Sequence, residues 1–493
     1  MRKIQSMGER KRVFFMLIVL AFIYVLLPNS NHLADSYGYG ASVKYGEDLF
    51  QPHHLLYNGL NYLFYQPFVM LFPALDALRF MQLLNALFSI ASLFLLMWML
   101  VSKGVNDIHA GWLTFAVGCS FSVMRFSVEA EVYIVPIFFS LLSSFYYQRY
   151  LYSKRSLNAF YAGLMASLAC LFHQIHLFWG IGLFIGWVMA KNKKAVFLYL
   201  LSTPLVLVVY GMVLYFYNNQ PLSINALFRF LASYYYSSNA DIGLGFKDVI
   251  ITIITFFRTF FQVHGLVVEV YKIMPVVAML CSGVVLLLLS KGVIGFLQRK
   301  SISGFRFVSA IPLEITHLII FGFQFAFAFY SHGNSEFMVM LPFLLVIVYS
   351  DWISQRLNSI KQLAYAMLLW NLIFGILPNH FYDFQNYRAT LELLHQQEKS
   401  VLVVKERTIP VNFYFYLYGI PENKRVIELS DIDQIKKYKE KQVVFLTDML
   451  SKKEPYSRVN FTKTIDAGQI KFVRHVRKVH AVSGDFYIDE VKL

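Results

Sequence analysis

Residues 11–60 read KRVFFMLIVLAFIYVLLPNSNHLADSYGYGASVKYGEDLFQPHHLLYNGL, and this stretch decides the architecture. Val13–Leu27 is unbroken apolar sequence, close to the ~20 residues that a membrane helix needs. Arg2, Lys3, Arg10, Lys11 and Arg12 precede it, and basic residues collect on the cytoplasmic side, so the N-terminus is expected inside. No small-x-small cleavage site comes after Leu27, so the run reads as a retained helix and not a signal peptide. A polar loop comes next. It gathers Asp35, Glu47, Asp48, His53 and His54, with Gly38, Gly40 and Gly46 to permit tight turns.

The same alternation continues along the chain. Hydrophobic residues make up 57% of the sequence and charged residues 15%, against roughly a quarter charged in an ordinary soluble protein. Basic loops recur at Lys103, Arg149/Lys154/Arg155, Lys191/Lys193/Lys194, Lys291/Arg299/Lys300/Arg306 and Arg356/Lys361. Placing them all inside gives spans near 13–28, 80–101, 109–127, 131–148, 157–172, 175–190, 195–217, 273–290, 308–330, 337–351 and 362–378. About eleven crossings leave the C-terminus outside. The net charge of +15 then reflects topology, and no nucleic-acid partner is called for. Residues 53–75 and 246–268 break the charge pattern as crossings. Both are aromatic-rich with scattered polar groups and read as helices lying on the outer leaflet. Cys119, Cys170 and Cys281 fall in apolar runs and imply no disulfide framework. The fold class expected is a mostly α, polytopic helical bundle over 1–378. A small α/β or α+β extracytoplasmic domain is expected over 379–493, where charge returns and short β-branched runs alternate with helical stretches. The Asn460 sequon falls in this tail.

Ionisable residues cluster at the outward ends of the helices. Beside the first loop stand Arg125, Glu129, Glu131 and Tyr133 in MRFSVEAEVYIVP, His173 and His176 in LFHQIHLFW, and His332 and Glu336 in FYSHGNSEF. Polar ends converging on one face suggest a site that acts on something delivered in the lipid. A carboxylate such as Asp35 could take a proton from an acceptor hydroxyl, while Arg and His neutralise a lipid phosphate. Plainer readings compete. Asp35 could make an Asx turn, Glu129 and Glu131 could cap the fourth helix, and Arg125 could pair with Glu129. His173 and His176 share a helix face at a spacing that could bind a metal, although hydrogen bonding serves equally.

The order of a short cytoplasmic N-terminus, one helix, a loop with Asp35-Ser36 closing on Pro52-His53-His54-Leu55-Leu56-Tyr57, and then Ala130-Glu131-Val132-Tyr133 resembles the GT-C class of membrane glycosyltransferases. It is most similar to the protein O-mannosyltransferase-like branch, whose donors are polyprenyl-phosphate sugars. The resemblance covers about the first 380 residues by architecture. It implies Asp35 as catalytic base, and matches Glu131 with Tyr133 to the second-loop acidic motif and His53 and His54 to the end of the first loop; with Arg125, Glu129 and His173 from the polar helix ends, these are the expected substrate-binding residues. Sugar would pass to a hydroxyl of a lipid, glycan or protein at the outer face of the plasma membrane. Paired acidic residues are common at the first motif of that class, whereas Ser36 stands after Asp35 here; a divalent cation is the one cofactor left open. Two other classes compete. One is a transporter or flippase for a lipid-linked substrate with Glu314 and His317 as coupling pair, and the other is a non-catalytic assembly subunit.

Overall fold

The computed structural model describes residues 2–233, 245–263, 266–297, 312–441, 443–452, 470–482 and 484–493. The Asn460 sequon and the basic residues Arg299, Lys300 and Arg306 lie outside them. The helices run α1 (Arg2–Leu26), α2 (Ala34–Tyr45), α3 (Tyr57–Leu71), α4 (Ala77–Lys103), α5 (Asp107–Gly118), α6 (Phe121–Ser127), α7 (Ile134–Ser153), α8 (Leu157–Phe172), α9 (Leu177–Met189), α10 (Lys193–Ser202), α11 (Pro204–Met212), α12 (Ile224–Leu231), α13 (Phe246–Arg258), α14 (Leu266–Ile273), α15 (Pro275–Leu297), α16 (Pro312–Tyr330), α17 (Leu341–Ser354), α18 (Leu357–Asn371) and α19 (Leu377–Phe381). A mixed unit completes the chain with α20 (Tyr387–Gln396), β1 (Ser400–Val404), α21 (Thr408–Tyr418), β2 (Val426–Glu428), α22 (Ile432–Lys439), β3 (Val444–Thr447), β4 (Lys471–Val479) and β5 (Phe486–Lys492).

Six helical stretches among the described residues are long and apolar enough to cross a membrane: Ala77–Lys103, Lys193–Tyr217, Pro275–Leu297, Pro312–Tyr330, Ser335–Ser354 and Leu357–Phe381. Leu157–Phe172 and Gln174–Met189 are apolar but shorter. Each of the eleven expected spans carries helix, with two departures. The fourth begins at Ile134 and not at residue 131, so Glu129 and Glu131 sit in a turn and cap no helix. The third is broken at Cys119–Ser120 into α5 and α6.

That break is tolerable inside an apolar bundle only because its backbone groups find partners. The Tyr24 hydroxyl donates to Gly118 O at 2.6 Å, and the Asn371 amide donates to Cys119 O at 2.9 Å and Phe260 O at 2.8 Å. The N–H groups of Phe121 and Ser122 donate to Phe260 O and Thr259 O at 3.1 and 3.0 Å. Asn371 Oδ1 in turn accepts from the Gln262 N–H. One buried asparagine thus ties the break to the end of α13 and redirects the chain into α6, which carries Arg125.

Charges divide by end. At the end where α1 begins and α4 finishes, Arg10 pairs with Asp107 and Lys361 with Glu9, both at 2.8 Å. There Lys103 reaches Glu314 at 2.6 Å, Asp351 at 3.1 Å and Ser350 Oγ at 2.8 Å. Glu314 is therefore neutralised by Lys103 and is no partner of His317. The His317 Nδ1–H donates to Leu313 O at 2.7 Å, which leaves Nε2 to accept from Ser144 Oγ at 2.8 Å. Both ring nitrogens are satisfied structurally, and the coupling pair expected of a transporter does not form.

The C-terminal sheet has the order β2-β1-β3-β5-β4, parallel across β2-β1-β3 and antiparallel across β3-β5-β4. β1 is buried along its whole length, as a central parallel strand must be. Its Val401 and Val403 join one small core with Ile427, Ile435 and Phe445, while Leu402 and Val404 belong to the main core of the helical part. The sheet is thus one side of the bundle's own packing. Its contact helix is α21, laid along α2. Phe413 stacks on Tyr37 with ring centroids 4.2 Å apart, and the Asn412 amide donates to Ala34 O at 2.8 Å. Lys44 Nζ donates to Tyr416 O at 3.0 Å. Gly40 lets the two helices meet: a Cβ there would come within 2.6 Å of Leu78 and 3.2 Å of Tyr416.

Candidate active site

Asp35 lies in the first turn of α2, exposed, at the positive end of the helix where a carboxylate is favoured. Ser36 beside it is buried and donates to Glu131 Oε1 at 3.0 Å. The turn that carries Glu131 is fixed by Asn85 of α4, whose amide nitrogen lies 2.7 Å from both Glu129 O and Glu131 O. Glu131 is fully buried. Burial, then the charges of Asp35 and Glu336, hold its carboxyl well above the usual carboxylate range. Tyr133 donates to Glu336 Oε2 at 2.8 Å, and its ring lies between Phe126 at 5.0 Å and His173 at 5.2 Å. Two loops and the turn Ser335–Met338 therefore bring Asp35, Glu131 and Glu336 to one place. Carboxyl groups this close divide into proton-holding and proton-taking members according to burial.

His53 is half-buried and His54 wholly buried in the turn Pro52–His54, under the Tyr39 ring at 4.7 Å. Burial pushes His53 down to about 4 and His54 further, so both are neutral donors and acceptors near pH 7. His173 Nδ1 accepts the Ile175 N–H at 3.2 Å, leaving Nε2–H as its donor. His176 Nδ1 instead meets Ser140 Oγ at 2.7 Å, and its buried Nε2 has no hydrogen-bond partner among the described residues. Arg125 is half-buried with its guanidinium over the Phe126 ring at 5.4 Å. It makes no pair with Glu129, which is engaged elsewhere. Glu129 is fully buried, bonded to the Asn29 amide and, at 2.8 Å, to His32 Nδ1. Its place is beneath the loop that leads into α2.

Among the described residues no group of three or more His, Cys, Asp or Glu is arranged to hold a metal ion. Glu131 is taken up by Ser36 and Glu336 by Tyr133. Each engages one carboxylate oxygen in these bonds, and the divalent cation left open by the sequence has no three-residue donor cluster among the described residues.

Sequence reasoning passed over Ser36, Tyr39, Tyr57, Asn85, Asn58 and Asn61. One signal was present: Tyr57, Asn58, Asn61 and Tyr65 recur at helical spacing within an otherwise apolar stretch.

No protein-family model matches the chain, and no curated protein matches it. Solved structures do. The Archaeoglobus fulgidus oligosaccharyltransferase, in complex with Zn and sulfate, is similar with a TM-score of 0.50 at 10% identity, over 89% of this chain and 68% of that one. ArnT from Cupriavidus metallidurans bound to undecaprenyl phosphate gives 0.44 at 11% identity, over 97% and 98% of the two chains. Its apo form gives 0.43 at 10% identity, over 98% of each. At such identities the likeness speaks for the fold alone: this chain shares the overall helical fold of the Archaeoglobus fulgidus structure.

Proposed function

We propose that the protein is an integral membrane glycosyltransferase that takes a sugar from a polyprenyl-phosphate carrier and passes it to an acceptor hydroxyl. The observation that carries this reading is the exposed Asp35 carboxylate set beside the buried carboxyl of Glu131, which is bonded to Ser36, the residue next to Asp35. Asp35 takes the proton of the acceptor hydroxyl as its oxygen attacks the anomeric carbon. The bond from that carbon to the carrier phosphate breaks on the opposite face, so configuration inverts. The phosphate leaves as an anion and needs no strong acid, only a cation. Arg125, which has no acidic partner among the described residues, supplies it. The His173 Nε2–H lies across Tyr133 from this helix turn and can donate to the same anion.

The charge division supports an orientation too. The basic end, with its Lys361–Glu9, Arg10–Asp107 and Lys103–Glu314 pairs, faces the cytoplasm, and the acidic site faces outward at the lipid surface. α3 and α13 span only ~20 Å at 1.5 Å per residue, and expose Leu63, Phe64, Phe68 and Phe246, Ile250, Ile254, Phe257. They are the two outer-leaflet helices. The partners are the sugar-lipid, the acceptor and membrane lipid.

Purified protein incubated with labelled polyprenyl-phosphate sugars and a panel of lipid, glycan and peptide acceptors tests the reaction. Carrier movement across proteoliposomes without any glycosylated product would support a flippase and end this reading. Within it, Arg125→Ala is expected to raise the donor KM about ten- to a hundredfold, as loss of a charge-assisted phosphate contact does. Arg125→Lys should recover part of the loss. An unchanged donor KM in both variants would remove Arg125 from the phosphate site.

A further inference from the structure

α3 is amphipathic the wrong way round for a helix lying on a protein core. Its outer side carries exposed Leu63, Phe64, Phe68, Met70 and Leu71, while the residues it buries are Tyr57, Asn58, Asn61 and Tyr65. A buried polar side chain ordinarily has a partner. Here both ring nitrogens of His54, both amide atoms of Asn58 and Asn61 Oδ1 are buried with none among the described residues. Asn58 and Asn61 are three apart within the helix and share one side of it, and His54, in the turn before it, meets Tyr57 at the helix start with ring centroids 6.5 Å apart.

That side continues into the acid site. Tyr39 stands one turn after Asp35 on α2 and meets His54 at 4.7 Å and Tyr57 at 5.8 Å, edge to face. The Tyr57 hydroxyl lies 3.1 Å from the Asn85 amide that holds the Glu131 turn. The unpartnered groups are amides and an imidazole. His54 and Asn58 each offer a donor and an acceptor, and Asn61 offers its Oδ1, its amide nitrogen already donating to Tyr57 O at 2.8 Å; none carries net charge, which is the complement of a ring of hydroxyls.

We propose that His54, Asn58 and Asn61 form the sugar-reading wall of the site and bind the hydroxyls of an uncharged sugar ring on the donor. This rests on the glycosyltransferase reading for the donor's identity, but the wall is testable without turnover. Orphaned amides in a closed protein destabilise it, and a hydroxyl-bearing ring that pairs them removes that cost. A site built this way discriminates strongly against a ligand that lacks the matching hydroxyls.

The test is thermal unfolding of the full-length protein in detergent, with polyprenyl phosphate alone, with polyprenyl phosphate carrying a neutral hexose, and with the same carrier bearing an amino sugar or a uronate. The neutral hexose should stabilise beyond the bare carrier, and the charged sugars should not. In Asn58→Leu and Asn61→Leu that extra stabilisation should vanish, with sugar-lipid affinity down about tenfold or more. The ligand-free variants should melt at the wild-type temperature or above it. Extra stabilisation that persists in both variants overturns the proposal, as does a wild-type protein that cannot tell the sugar-lipid from the bare carrier. Stabilisation by free oligosaccharide only would assign the wall to the acceptor and overturn the donor assignment. Sugar-dependent stabilisation with no transfer to any acceptor would leave the wall standing and sink the transferase reading instead.

Discussion

Asp35→Asn is expected to lower kcat by about a hundred- to ten-thousandfold, the range a positioned general base contributes, while leaving thermal unfolding nearly unchanged. The substitution is isosteric and the side chain exposed. The favourable charge at the start of α2 is worth at most about 1 kcal/mol. Glu131→Gln should behave in the opposite way. Glu131 holds its proton through burial and the neighbouring charges of Asp35 and Glu336, so a glutamine copies its neutral form and can still accept from Ser36. Transfer should stay within a few-fold of wild type. The raised value also sets the sign of the pH effect on stability. In the unfolded chain Glu131 ionises above about pH 4.3, whereas the folded protein keeps the proton. Stability contributed by this group therefore falls as pH rises from there toward its folded value, and the glutamine removes that dependence. Paired rate and melting profiles between pH 4.5 and 8 check both. An active Asp35→Asn with an inactive Glu131→Gln would exchange the two roles.

The membrane architecture was legible because hydropathy reports solvent, and the lipid solvent acts on every residue of a span. The division of charge between the two ends was legible for the same reason. The break at Cys119–Ser120 was not. It depends on Tyr24 and Asn371, which are distant in sequence and look like ordinary residues of their own helices. The residues around Asp35 were partly legible. Acidic and histidine side chains in a loop beside an apolar run are conspicuous, so Asp35, Glu131, His53 and His54 stood out. Their surroundings were silent, because Tyr39, Tyr57 and Asn85 reach them only through packing between α2, α3 and α4. Glu129 shows the limit most clearly. Two residues from Glu131 and equally acidic, it faces another way, because the turn through Ala130 sends successive side chains to different partners.

Glu129→Ala should therefore be the most damaging single change to the fold of the site. The carboxyl is fully buried and meets the Asn29 amide, His32 Nδ1 and the Ala130 N–H. Removing it strands buried donors from both loops at once, in a place that water does not reach. Leaving a buried donor without its acceptor typically costs about 1–3 kcal/mol for each group. The loss would not stay local. Asn29 also takes part in the loop through Asn31, Asn31 holds Tyr382 O and the Phe384 N–H, and Gln385 donates to His32 O. This web pins the segment before α2 to the chain entering the C-terminal sheet, and so sets where Asp35 stands. Glu129→Ala should lower the melting temperature and the transfer rate together, whereas Asp35→Asn lowers the rate alone. Glu129→Gln, which keeps one acceptor oxygen, should recover part of both. A stable, inactive Glu129→Ala with raised donor KM would instead return Glu129 to the substrate side.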